Sequence, residues 1–356
     1  MGRELKDLKI LAKKVAKKQP PANFTQQDAE NAFRAELREL AKDYNTYRRN
    51  KLTIFELIQD VVDEVLPNRV IDIMGRFAEV RQFAQGQKPI FKAKLGQHRY
   101  KRFITQVGLS GIYETGRLDR EYIEVPIRAY GGAAVIELER YLDGIENIDE
   151  LMDIILLGLE DAVYKEVMDA LLANVSNMPV PNVVSTPTFD GDEMVKLINI
   201  CRAYGGNANI FCPPEFAATV TPSAGFHANI LQNYAGSPTE QDEMRNQGYI
   251  GVFRGGRLIV LPQSFEYVDN TEKVINPGLA YVIPSGGQAD ERIAKVAMEG
   301  GAIVDDYKNA DRSMEIQIYK KFGVAILTSN YYCMYQNLEA YTEDDGWSDT
   351  PIVYPY

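Results

Sequence analysis

GYIGVFRGGRLIVLP, residues 248–262, places four glycines, Gly248, Gly251, Gly255 and Gly256, ahead of an aliphatic run. Two readings compete: a glycine loop that cradles a phosphate in an α/β enzyme, or a turn between two strands. A dinucleotide loop needs G-x-G-x-x-G between a strand and a helix, and a P-loop ends in G-K-S/T. Here the spacing is G-x-x-G-x-x-x-G-G, with neither Lys nor Ser/Thr behind it. RLIVLP follows, a β-branched run closed by proline, which reads as a strand. Without a helix N-terminus, the free amides and dipole that hold a phosphate are missing. Arg254-Gly255-Gly256-Arg257 is therefore read as a tight hairpin turn, where glycine admits positive φ.

The preceding stretch has an αβ pattern. Asp190 or Asp192 caps a helix through Ala203, Gly205-Gly206 ends it, and ANIFC (208–212) reads as a buried strand. Pro213-Pro214 open a further helix, PEFAATV. The polar stretch 222–246 reads as a surface loop. On the other side, SMEIQIYKKFGVAIL alternates Met314, Ile316 and Ile318 with Glu315, Gln317 and Tyr319, then becomes continuously apolar at Gly323. One strand is expected to pass from a half-exposed sheet into a buried one.

Further upstream lies the clearest helix, expected over Ile148 to Asn174. Asn147 and Glu150 resemble a capping pair, and Leu151, Ile155, Leu159, Val163, Val167 and Leu171 recur along one face. The proline-bearing MPVPNVVSTP (178–187) marks a domain boundary. Before the helix, from about Phe77 to Leu142, PIFKAKLG and REYIEVPIRAY alternate apolar and polar residues as half-exposed strands. Pro126 cannot donate a ladder hydrogen bond, which points to an edge or a bulge. Glycines 108, 111 and 116 punctuate this long ribbon, and Arg117, Asp119, Arg120 and Glu121 cluster near its expected tip. A two-stranded ribbon is marginal by itself in water, and its free edges invite pairing with another copy.

Three helices are expected ahead of the ribbon. The first, over 3–18, sets Leu5, Leu8, Ala12 and Val15 against a lysine-rich face and stops at Gln19-Pro20-Pro21. The second spans about Gln26 to Tyr47. The third is capped by Thr53 and ends before Pro67.

The chemistry-bearing inventory is sparse. The chain has two histidines, His98 and His227, and three widely spaced cysteines, Cys201, Cys212 and Cys333, in 356 residues. That spacing argues against a disulfide framework and a zinc site. His98 lies in a basic turn, and His227 has no nucleophile motif beside it. Asp305, Asp306 and Asp311 fail the calcium-loop pattern, because Tyr307 stands at the third position. No cofactor and no catalytic residue are expected. No apolar run reaches the ~20 residues of a membrane span, and the charged N-terminus lacks a signal-peptide core. Net charge is −11, yet residues 1–18 carry seven basic side chains against two acidic ones. The remaining 338 residues thus bear −16, and Glu339, Glu343, Asp344, Asp345 and Asp349 form an acidic tail. Such a body disfavours general nucleic-acid binding. Lys13, Lys14, Lys17 and Lys18 are left as a face for scaffold, nucleic acid or solvent.

The order of these parts resembles the major capsid protein of tailed bacteriophages, the Hong Kong 97-type fold, over about residues 55–338. GRLDREYIEVPIRAYGGAAVIELERYLDG resembles the family's extended loop, and ENIDELMDIILLGLEDAVYKEVMDALLAN its spine helix. FDGDEMVKLINICRAYGG through ANIFCPPEFAATV to GVFRGGRLIVLP is similar to its axial domain. MEIQIYKKFGVAILTSNYY resembles the long strand that returns to it. The resemblance implies an α+β chain divided as follows: an N-terminal arm (1–55), the start of a peripheral domain (56–80), an extended β-ribbon loop (81–135), the peripheral domain with its spine helix (136–185), an axial α/β domain (186–287), peripheral strands (288–322), a return to the axial domain (323–338) and an acidic tail (339–356). It implies self-assembly into hexamers and pentamers of an icosahedral head around double-stranded DNA. The implied partners are other copies of the chain, a portal, scaffold or decoration proteins, and weakly and non-specifically the packaged DNA. The implied location is the virion, after synthesis in the host bacterial cytoplasm. On this reading Arg117, Asp119, Arg120 and Glu121 make intersubunit contacts, Leu151, Ile155, Leu159, Val163 and Val167 pack the spine helix, and Lys13, Lys14, Lys17 and Lys18 meet scaffold or DNA. An encapsulin-type shell around enzyme cargo shares the fold, and a cytoplasmic α/β enzyme is the alternative of another class.

Overall fold

The computed structural model of the chain describes residues 2–21, 25–94, 120–136, 148–223, 246–267, 269–270, 272–285, 291–308, 314–328 and 331–341. Helix α1 (Gly2–Ala16) buries Leu8, Ala12, Val15 and Ala16. Helix α2 (Gln26–Leu40) starts at a reciprocal cap, with Thr25 accepting from the Asp28 backbone and the Asp28 side chain accepting from that of Thr25. It stops at Leu40, earlier than the expected Tyr47. Asp43, whose side chain accepts from Thr46 N at 2.9 Å, then starts α3 (Tyr44–Met74), so Thr53 lies inside a helix rather than at its start.

Helix α3 also runs through Pro67, where the sequence reading ends it. Proline removes the amide that would serve the Asp63 carbonyl. Gln82 Nε2 takes that place, donating to Asp63 O at 3.2 Å. Val65, Leu66, Val70 and Met74, on both sides of the proline, are fully buried and hold the helix to its course.

Four strands form the first sheet in the order β1-β10-β11-β4, from Ala78–Phe83, Ala294–Lys308, Met314–Ile326 and Arg128–Ile136. β1 is parallel to β10, and the other pairs are antiparallel. β10 is bulged between Glu299 and Ile303. There Gly300 has φ +62°, and a Cβ on Gly301 would run into Gln59 and Asp63 of α3. Asp63 Oδ1 accepts from Ala302 N at 2.7 Å and from the buried Lys320 Nζ at 2.6 Å, so the bulge is clamped to α3.

The ribbon base is a separate pair, β2 (Ile90–Lys94) and β3 (Arg120–Glu124), antiparallel with Phe91 opposite Ile123. The stretch read as one alternating strand through Ile127 divides at Pro126 into β3 and β4. Arg81–Phe83 and the described part of β4 pair within the four-stranded sheet, so the described free ribbon is narrower than the expected 81–135.

Helix α4 (Ile148–Ala173) crosses this sheet. A second sheet, in the order β5-β12-β9-β6-β8-β7, is built from Val183–Thr186, Cys333–Asn337, Leu279–Ser285, Asn207–Cys212, Gly256–Val260 and Val252–Phe253. Helices α5 (Gly191–Ala203), capped by Asp190, and α6 (Pro214–Ser223) pack on one face of it, burying Met194, Leu197, Ile198, Phe216 and Val220. The other face joins the main core, where Phe211 meets Phe77 at 4.4 Å between ring centroids. β11 stays in the four-stranded sheet through Ile326, and the chain enters the second sheet only at Cys333, later than the expected crossing at Gly323. The loop expected over 222–246 falls mostly outside the described residues.

Candidate functional site

The glycine stretch GVFRGGR (251–257) is a hairpin. Val252 pairs with Arg257 and Phe253 with Gly256, leaving Arg254 and Gly255 as the two turn residues at φ 42° and 90°. Both angles are positive, as a two-residue turn between right-twisted strands demands. A Cβ on Gly256 would press against Ile210 and Ile198, which is a packing reason for the second glycine.

The thiols are placed for packing. Cys201, Cys212 and Cys333 are buried and unbridged. Burial pushes the Cys212 thiol well above its ordinary range, and the hydrogen bond from Cys201 at 3.5 Å, with burial, does the same to Cys333. A thiol held protonated is a poor nucleophile. Among the described residues there is no group of three His, Cys, Asp or Glu able to hold a metal ion, and no helix is long and apolar enough to cross a membrane. His98, His227 and Asp311 lie outside the described residues.

The ribbon is anchored by its inner face. Phe91 and Val125 are buried with Ala297 of β10, and Phe83 meets Phe91 edge-on at 5.4 Å. Its outer face leaves Ile90 and Tyr122 exposed, Tyr122 by 67%. β4 is tied back to α4, because Tyr130 stacks on Phe322 at 4.1 Å and its hydroxyl donates to Glu166 at 2.8 Å. Of the expected contact residues, Arg117 and Asp119 lie outside the described residues. Arg120 and Glu121 are described in backbone, opposite Lys94 and Ala93.

Along α4, Leu159, Val163 and Val167 are buried, and Leu151 and Ile155 are half-buried against the same core. Sequence periodicity missed the polar part of this face. Tyr164 is fully buried and donates to Glu160 Oε1 at 2.5 Å, while Arg69 of α3 approaches Glu160 at 3.5 Å. Desolvation, and then the bond to Glu160, push the Tyr164 hydroxyl well above its ordinary value. On the opposite side, Ile154 and Leu157 are exposed.

The lysine face of α1 is turned onto α3. Lys13 and Lys17 reach the two Glu64 carboxylate oxygens at 2.6 and 2.7 Å, and Lys9 reaches Asp60 at 2.8 Å. Lys13 first, then Lys17, holds the Glu64 carboxyl below its ordinary value. Arg69 Nη2 donates to Ala16 O at 2.8 Å and satisfies the C-terminal end of α1. Two of the four expected contact lysines are thus engaged within the chain, Lys14 is half-buried, and Lys18 is exposed at φ 53°. No short-range pattern reveals this, because Glu64 is 47 residues from Lys17.

A model of one protein family matches residues 7–335, and that family is described as "SPbeta prophage-derived putative capsid protein YonB". No curated protein matches the chain in sequence. Among solved structures, the chain is similar to the capsid of cyanophage P-SCSP1u at 7% identity, covering 74% of this chain and 88% of that one, with a TM-score of 0.48. It is similar to the capsid of Helicobacter pylori bacteriophage KHP30 at 12% identity, covering 73% and 87%, with a TM-score of 0.48. It is also similar to a virus-like particle from Pyrococcus furiosus at 11% identity, covering 77% and 98%, with a TM-score of 0.44. The family match runs from within α1 to within β12, and on that ground the chain belongs to the family described as "SPbeta prophage-derived putative capsid protein YonB".

Proposed function

We propose that the chain is the shell-forming subunit of a tailed-phage head, a structural protein that assembles with copies of itself into hexamers and pentamers around double-stranded DNA. The observation that carries this reading is the family match over residues 7–335. The parts favour it. The ribbon has an anchored inner face and exposed Ile90 and Tyr122 outside, and α4 carries exposed Ile154 and Leu157. Such surfaces become useful when a neighbouring copy covers them, and heterologous contacts of this kind close into rings and shells.

Arg117, Asp119, Arg120 and Glu121 fit the reading as register-setting charges across a subunit boundary. Of the N-terminal lysines, Lys18 and Lys14 are the better placed for a scaffold or the genome, because Glu64 already takes Lys13 and Lys17. A portal completes the set of partners, and the virion is the working location after synthesis in the host cytoplasm. Sedimentation velocity on the purified chain tests the proposal. Ring-sized or shell-sized species at micromolar concentration support it, and a single monomeric boundary at every concentration refutes it.

A further inference from the structure

Strand β6 presents Asn207, Asn209 and Phe211 on one face, by the two-residue period of a strand. The register sets Arg257 of β8 beside Asn209 and Ser285 of β9 beside Asn207. Phe211 packs on Phe77, so this face meets the turn between α3 and β1. Arg76 immediately precedes Phe77. Arg292 precedes the buried Ile293, just ahead of β10, and its Nη1 donates to Ala78 O at 3.2 Å. Arg76, Arg257 and Arg292 therefore line one open cleft of about 600 Å³, together with Asn207 and Asn209.

Two features distinguish the cleft from ordinary surface. No carboxylate lines it among the described residues, in a chain of net charge −11. Elsewhere in the fold, basic side chains such as Lys13, Lys17, Lys295 and Lys320 are met by Glu or Asp. The second feature is Asn209, which is 3% exposed, lines the cleft and has an amide nitrogen without a hydrogen-bond partner. Buried donors are normally satisfied, and an orphaned one calls for a missing partner. A fourth guanidinium, Arg202, stands at the rim, with Nη2 donating to Gly255 O at 3.0 Å.

We propose that this cleft binds a phosphate-class oxyanion, held by Arg76, Arg257 and Arg292 with Asn209 as a neutral donor. The planar, permanently charged fork of arginine matches the several oxygens of such a group better than a point charge does. The ligand bridges the two sheets, because Arg76 and Arg292 flank strands of the four-stranded sheet, whereas Asn209 and Arg257 belong to the six-stranded one. Inorganic phosphate and the phosphodiesters of nucleic acid share this chemistry.

The test uses the full chain. Thermal unfolding is followed in sodium phosphate and in sodium chloride at matched ionic strength, and phosphate affinity is measured by calorimetry. Arg76 and Arg257 are exposed, so Arg76→Gln and Arg257→Gln leave the core untouched, with Lys92→Gln on the exposed ribbon face as control. Phosphate raises the unfolding midpoint of the wild type and of Lys92→Gln beyond chloride, and each arginine variant binds phosphate about ten-fold more weakly. A labelled 15-nucleotide oligothymidylate distinguishes the sources by fluorescence anisotropy. Binding that phosphate competes away and the arginine variants lose assigns the site to nucleic acid, while phosphate binding without oligonucleotide binding assigns it to the free anion. The proposal is overturned if phosphate stabilises no more than chloride, or if the Arg76→Gln/Arg257→Gln double variant binds phosphate as the wild type does.

Discussion

The carbonyl oxygen of Pro126 occupies the space where a Cβ on Gly323 would stand. The link between β3 and β4 thus lies against the C-terminal part of β11, and Gly323 is small for lack of room rather than for an unusual backbone angle. This contact seats the base of the ribbon on the four-stranded sheet.

Gly323→Ala therefore forces the β3–β4 connection outward. Overpacking of this kind costs roughly 1–3 kcal/mol. Gly132 in β4 has open space at its Cβ position and serves as the control. Gly323→Ala is expected to lower the unfolding midpoint by several degrees while Gly132→Ala leaves it nearly unchanged. Equal midpoints for the two variants contradict the contact.

The arm helix responds to acid. Lys13 and Lys17 hold the Glu64 carboxyl below its ordinary value of 4.5. A depressed acid contributes stability that is present above the ordinary value and is lost as pH falls through the folded one. Docking of α1 is thus complete at pH 7 and weakens below about pH 4.5. All three side chains are partly exposed, so each of the two ion pairs is worth at most about 1 kcal/mol. Glu64→Gln at pH 7 should lower the hydrogen-exchange protection of α1 about two- to five-fold relative to α4, as should 1 M salt in the wild type. Unchanged protection in Glu64→Gln would show that Leu8, Ala12 and Val15 hold the arm unaided.

Local punctuation made part of this fold legible. Asp190, Gly205-Gly206, Pro213-Pro214 and Arg254-Gly255 act within a few residues of themselves, and they mark α5, β6, α6 and the hairpin. What stayed hidden depends on partners distant in sequence. Pro67 reads as a helix end because the donor that replaces its amide, Gln82, belongs to a strand. The lysines of α1 read as a free basic face because Glu64 lies on another helix. The arginine cleft draws on residues 76, 209, 257 and 292, which only the sheet order brings together. Strand β11 reads as leaving its sheet at Gly323, because a continuously apolar run signals burial without saying which sheet buries it.

On the proposed function, the ribbon acts in assembly rather than in folding. Its base is anchored through Phe91 and Val125, and neither of these residues falls within 108–120. Replacing 108–120 by a short Gly-Ser turn is expected to leave a folded, soluble subunit by circular dichroism that fails to close shells. Loss of folding would make the ribbon part of the core, and intact shells would remove its role as a clamp between subunits.

Negative-stain electron microscopy of the purified full chain shows whether the subunit builds a shell. A shell-forming subunit produces closed, uniform particles or their capsomer rings at micromolar concentration. A field of monodisperse single subunits, unchanged by raising the concentration, would contradict the account.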